Sequence, residues 1–143
     1  MDDALRETLK TLVGISDEEL DQLKPHVVES LDNVGALLEY RIVAEVVESE
    51  NCTARYKVGD RMVFNGTFLN TVESTTEHYC MDAIPPIHIA MRAMIAAILN
   101  DDDPNKYFFN HVQCLDTGAL HGGFGRVLFR VHAEKIEQPE SPA

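Results

Sequence analysis

Several things are missing from this chain, and each absence removes a class of protein. No apolar run reaches the roughly 20 residues that span a bilayer, and the opening "MDDALRETLK" is acidic and amphipathic. That start resembles neither a secretory signal nor a basic transit peptide, so a cytoplasmic protein is expected. Basic residues are scarce, 12 against 24 acidic ones, for a formal net charge of −12. Phosphate backbones and anionic lipids are bound by clustered Lys and Arg, and no such stripe exists here. Nucleic acid and membrane are therefore set aside as partners. The HExxH pair, the P-loop and the serine elbow are all absent.

Cysteine is also sparse. Cys52, Cys80 and Cys114 lie far apart, and none belongs to a CxxC pair. An odd number of cysteines in a chain without an export signal argues for reduced thiols rather than a disulfide framework.

What remains is one domain's length of ordinary globular sequence, 143 residues of which 45% are hydrophobic. The first third is helical in pattern. In "DDALRETLKTLVG", Leu5, Leu9 and Leu12 recur on one helical face, and Gly14 is placed to stop the helix. Ser16 with Glu19 matches a capping box. A third piece, "HVVESLDNVGALL", is a poorer helix because of its valines and Gly35. From residue 40 the composition turns β-prone. "YRIVAEVVESE" (40–50) reads as a strand, and "YKVGDRMVFNG" (56–66) as two strands about a turn at Gly59-Asp60. "NKYFFNHVQC" (105–114) is β-prone. "GRVLFRVHAE" (125–134) alternates, with Val127, Phe129 and Val131 on one face and Arg126, Arg130 and His132 on the other. Between them, "AIPPIHIAMRAMIAAILN" (83–100) begins with the prolines of a helix start and is apolar almost all round, Arg92 being its one charge. Such a helix is buried centrally or covered by a partner.

The pattern predicts an α+β fold: a helical N-terminal cap (1–38), then a core domain (39–135), then a polar tail (136–143). In the core, a mostly antiparallel sheet or half-barrel packs on one hydrophobic helix.

The segment "QCLDTGALHGGFGRV" (113–127) concentrates the candidate chemistry. Its glycines lead into a strand rather than a helix, so it is no dinucleotide fingerprint. They could expose backbone N–H groups as an anion nest, in which case Gly122, Gly123 and Arg126 would grip a small anionic metabolite. The alternative is a glycine-rich turn feeding the last strand. A thiophilic metal such as zinc is a second candidate. Cys52, Cys80 and Cys114 each sit near an element boundary, and with His121 they make a Cys3His set if those boundaries meet at one end of the sheet. A thiol nucleophile is the third: Cys80 precedes the proline-led helix, whose dipole would favour its thiolate, with His78 or His88 as base.

The ordered set "YKVGDRMVFNG", "CMDAIPP", "DPN", "QCLDTG" and "GGFGRVLFRV" resembles an uncharacterised family of small multi-cysteine bacterial proteins. Its members carry KVGD, a cysteine before an Ala-rich helix, a Cys-x-Asp-x-Gly element and a closing GGxGxVxF strand. The resemblance spans about residues 43–131 and implies that Cys52, Cys80 and Cys114 are the family's cysteines. Some members have cysteine at the position of His121, a replacement that a zinc site tolerates. The family has no assigned activity, so the resemblance implies a fold group rather than a reaction. The leading expectation is a small accessory or interaction protein that could hold a structural metal, acting on a protein partner or a second copy. A metal- or thiol-dependent enzyme and an anion-binding module stand beside it.

Overall fold

A computed structural model describes residues 1–136; the tail expected at 136–143 falls, apart from Ile136, outside the described residues. Helix α1 (Asp3–Val13) starts where the Asp2 carboxylate accepts the Leu5 N–H at 2.7 Å, and it ends at Gly14, whose φ of +78° suits a residue without Cβ. Helix α2 (Asp17–Asp21) carries the expected capping box, Glu19 N–H to Ser16 Oγ at 3.2 Å and Ser16 N–H to Glu19 Oε2 at 2.8 Å. Arg6 bridges Asp17 and Asp21, fastening α1 to α2. Leu5 and Leu9 are half-buried, but Leu12 is 79% exposed, so the inward face of α1 is shorter than its leucine spacing implies. Helix α3 (Pro25–Asp32) stops before Gly35, and the chain continues as a 3-10 turn, Val34–Glu39. That turn touches the long helix and the first strand, while Asn33 Nδ2 donates to Leu99 O at 3.1 Å.

Strand β1 (Tyr40–Glu50) is the middle of a five-stranded antiparallel open sheet with order β3-β2-β1-β5-β4. Its neighbours are β2 (Arg61–Asn65) and β5 (Arg126–Lys135); the edges are β3 (Phe68–Asn70) and β4 (His111–Gln113). The sheet does not curl into a half-barrel. Of the expected hairpin at 56–66 only the second half is a strand: a bulge between Val46 and Glu48 lets the Val46 backbone bond to Gly59 and Asp60 instead. The short β3 has no counterpart in the sequence pattern. In 105–114 only three residues extend, after a 3-10 turn at Pro104–Lys106.

Helix α4 (Ile84–Leu99) lies on one face of this sheet. Ile87, Ala90, Met91, Met94 and Ile95 meet Ile42, Ala44, Val46, Met62, Phe64, Phe129 and Val131. The inward set of β5 is the one its alternation predicts. The helix is not buried all round, because His88, Ile89, Arg92 and Ala96 face outward. On the far face of the sheet, Val43 and Val63 are buried within a ring of charge. Glu134 there receives Arg41 Nε at 2.9 Å, an Arg61 guanidinium N–H, and His132 Nε2 at 3.0 Å. Burial pushes the Glu134 carboxyl up, but bonds from His132, Arg41 and Arg61 outweigh it and hold the group below its ordinary value. The basic residues of β5 pair with acids as expected, Arg126 with Glu50 and Arg130 with Glu45, each at 3.1 Å.

Phe129 is fully buried between sheet and helix. Phe129→Ala should destabilise the fold by about 3–5 kcal/mol, read as a lowered urea midpoint with an unchanged transition slope.

Candidate functional site

The antiparallel ladders decide which loops become neighbours. Glu50 pairs with Arg126 and Gln113 with Leu128, so the end of β1, the end of β4 and the start of β5 share one edge of the domain. The N-terminus of α4 joins them there. Cys52 follows β1, Cys114 follows β4, and Cys80 precedes α4. All three line one cavity of about 20 Å³ together with Tyr56, Asp82, Asp116 and Arg126. That is room for a single water-sized occupant. The element boundaries do meet at one end of the sheet, as the cysteine positions imply.

Each cysteine is tied to its surroundings through its backbone, and one also through its sulfur. Cys114 is buried; its N–H donates to Val127 O at 3.0 Å, and its Sγ accepts the Val127 N–H at 3.2 Å. Cys80 donates its N–H to Tyr56 Oη at 2.7 Å. The Cys52 carbonyl accepts the Arg55 N–H at 3.0 Å in a turn where Asn51 and Arg55 take φ of +48° and +60°. Those two residues fold the loop back so that Tyr56 is buried, edge-on to Phe129 at 5.9 Å between ring centroids. Tyr56 thus links the Cys52 loop to Cys80. Burial pushes its phenol up to about 12, against the pull of the Cys80 N–H. Composition alone carries no signal for this role.

The glycine-rich loop does form an anion nest, and its anion is internal. Asp116 Oδ1 accepts the N–H of Gly118 and of Phe124, each at 2.9 Å, and Oδ2 accepts the Gly125 N–H at 3.2 Å. The Gly118 bond, then those of Phe124 and Gly125, hold the carboxyl below its ordinary value. Asp-x-Gly is the Asx-turn spacing, the one signal by which this arrangement could be read from sequence. Gly122, Gly123 and Arg126 therefore do not form the metabolite grip expected of them. Gly122 takes a left-handed turn at φ +90°, the Gly123 N–H donates to Gly118 O at 3.0 Å, and Arg126 pairs with Glu50. The hollow beside Arg126 is lined by Glu48 and Glu50, an electrostatic mismatch for an anion.

His121 is not among the residues lining the cysteine cavity. It is exposed in the 3-10 turn Ala119–His121 and faces a separate hollow of about 220 Å³ with Leu120 and Phe124. Its N–H and the Gly123 N–H both go to Gly118 O, which holds this turn away from Cys80 and Cys52. Among the described residues, no group of three or more His, Cys, Asp or Glu side chains is arranged to hold a metal ion. The nucleophile reading loses its supports as well. Pro85 and Pro86 bring no N–H to the first turn of α4, and the N–H groups of Ala83 and Ile84 are taken by the Cys80 carbonyl. His78 and His88 are exposed and do not line the cavity. Compared with family models, curated proteins and solved structures, the chain matches none.

A Cβ on Gly123 would lie 1.9 Å from Asp116 Oδ1 and 2.9 Å from Gly118 N. Gly123→Ala should cost about 1–3 kcal/mol through forced displacement of the loop, seen as a lower melting temperature and faster proteolytic cleavage within 113–127. Tyr56 supplies a pH test. Its folded value, about 12, lies above the ordinary 10.0, so the unfolded chain loses that proton first. Stability from this group is complete below pH 10 and falls as pH rises toward 12. Tyr56→Phe should be less stable at neutral pH by about 1 kcal/mol, for the lost hydrogen bond. Its deficit relative to the wild type should shrink with rising pH in urea titrations.

Proposed function

We propose that this is a small accessory protein whose three-thiol cavity takes one thiophilic metal ion, with zinc the ion first expected. One observation carries the reading: three cysteines from distant parts of the chain line a single cavity of one-atom size. Thiolate is the ligand class for soft and borderline cations, and binding would release the thiol protons. Closing the sulfurs on an ion asks for one torsional change per cysteine, since no three donors are ready-arranged among the described residues. An ion there would tie together the ends of β1 and β4 and the start of α4, a structural role. Among the described residues, Arg126 is the only cationic side chain lining the cavity, and it would offset the negative charge of the thiolates.

Free thiols suit a reducing compartment, which supports the cytoplasm as the place of action. No helix among the described residues is long and apolar enough to cross a membrane. Exposed apolar side chains flank the site: Met81 beside Cys80, Leu115 beside Cys114, and Leu120 and Phe124 on the adjoining loop. That rim supports contact with a protein partner or a second copy.

Protein purified under reducing conditions and reloaded with zinc or copper should hold one ion per chain by elemental analysis, and Cys114→Ser should hold less than half as much while keeping its circular dichroism. Metal should also protect Cys52 and Cys80 from alkylation. Wild-type protein that binds neither ion, with alkylation rates unchanged, ends this reading.

A further inference from the structure

If the three-thiol cavity holds a metal ion, as proposed, the donors around it narrow the choice of ion. Zinc in structural sites takes four ligands in a tetrahedron, and catalytic zinc fills its fourth place with water. The cavity has three sulfurs, and each other candidate for a fourth place is engaged or badly suited. His121 lines a different hollow. Both Asp116 oxygens accept backbone N–H groups. The Tyr56 phenol stays protonated to about pH 12, and its oxygen already accepts the Cys80 N–H. Asp82 lines the cavity, but its residue is exposed to water and its carbonyl is fixed by the Leu115 N–H at 2.9 Å. At about 20 Å³ the space admits an ion without a water beside it.

We infer that the Cys52–Cys80–Cys114 cavity selects a soft ion satisfied by three sulfur ligands, monovalent copper, in preference to tetrahedral zinc. Soft thiolates favour Cu(I) by ligand type, and here the missing fourth donor adds geometry to that preference. Binding exchanges three thiol protons for one cation, with no change in oxidation state.

The test is anaerobic loading of the reduced, full-length protein with Cu(I), and separately with Zn(II) and with Co(II) as zinc's spectroscopic surrogate, each against a competing chelator. One Cu(I) per chain should be retained, with a thiolate-to-copper ultraviolet band and, by X-ray absorption, a shell of three sulfurs with no light atom. Cys114→Ser and Cys52→Ser should each lower copper affinity by at least about tenfold, two positions guarding against a variant that fails to fold. Asp82→Asn should leave copper binding within about twofold, as expected for a group outside the ligand set. Zn(II) and Co(II) should be lost to the chelator, Co(II) giving no tetrahedral ligand-field bands. Tetrahedral Co(II) bands in the wild type, altered by Asp82→Asn, would overturn the preference for copper while leaving a metal site in place. Failure to bind any of the three ions would overturn the preference and the parent reading together.

Discussion

The pairing of β1 with β5 is the constraint on which the rest of the molecule depends. It is the longest ladder in the sheet, running from Tyr40 opposite Lys135 to Glu50 opposite Arg126. Everything else is referred to it. β2 and β4 attach to its two outer sides, α4 packs across its inner face, and the Glu134 cluster closes its outer face. Because antiparallel strands carry a fixed register, this one pairing also decides which loops share an end of the domain. The bulge after Val46 adds a local adjustment: beyond it Ser49 stands opposite Val127, and the Ser49 hydroxyl reaches the Tyr56 carbonyl at 2.7 Å. The loop that bears Cys52 is thereby anchored to the strand it leaves.

At that end of the domain the chain satisfies its own polar groups. Asp116 fills the nest made by the glycine loop, Tyr56 accepts the Cys80 N–H, and Arg126 is paired with Glu50. Neutralised internally, these groups leave little to attract a charged metabolite. What is left unsatisfied is sulfur, a poor hydrogen-bonding atom whose strong interactions are with soft cations. The arrangement is a polar frame around a soft centre.

Much of the fold is legible in the sequence because it rests on local signals. Gly14, the Ser16–Glu19 capping box, the prolines opening α4 and the strict alternation of β5 each have a mechanism that acts within a few residues. The first half of the 56–66 segment misleads because its valine and tyrosine favour extended backbone, while the bulged partner strand makes a turn the better use of those N–H groups. Leu12 misleads because helical spacing marks a face without saying how far along the helix a partner extends. At the site, the proximity of the cysteines can be anticipated from their places at element ends. The exclusion of His121 cannot, because it depends on three N–H groups choosing Asp116 over an external anion. Tyr56 is invisible for a like reason: two non-glycine residues at positive φ carry it inward, and no residue type announces that choice. The likeness to a multi-cysteine family implies the cysteine positions and adds nothing about these contacts.

The same ladder has a kinetic side. Arg41 and Glu134, joined across β1 and β5, are 93 residues apart in the chain, so the central pairing closes a very long loop before any of its contacts can repay the lost chain entropy. Assembly is therefore governed by one non-local encounter and not by the quick helices of the cap. Until that encounter occurs all three sulfur atoms stand open to solvent, and the nascent protein passes through an interval in which oxidants and stray cations compete with its own folding for the same thiols.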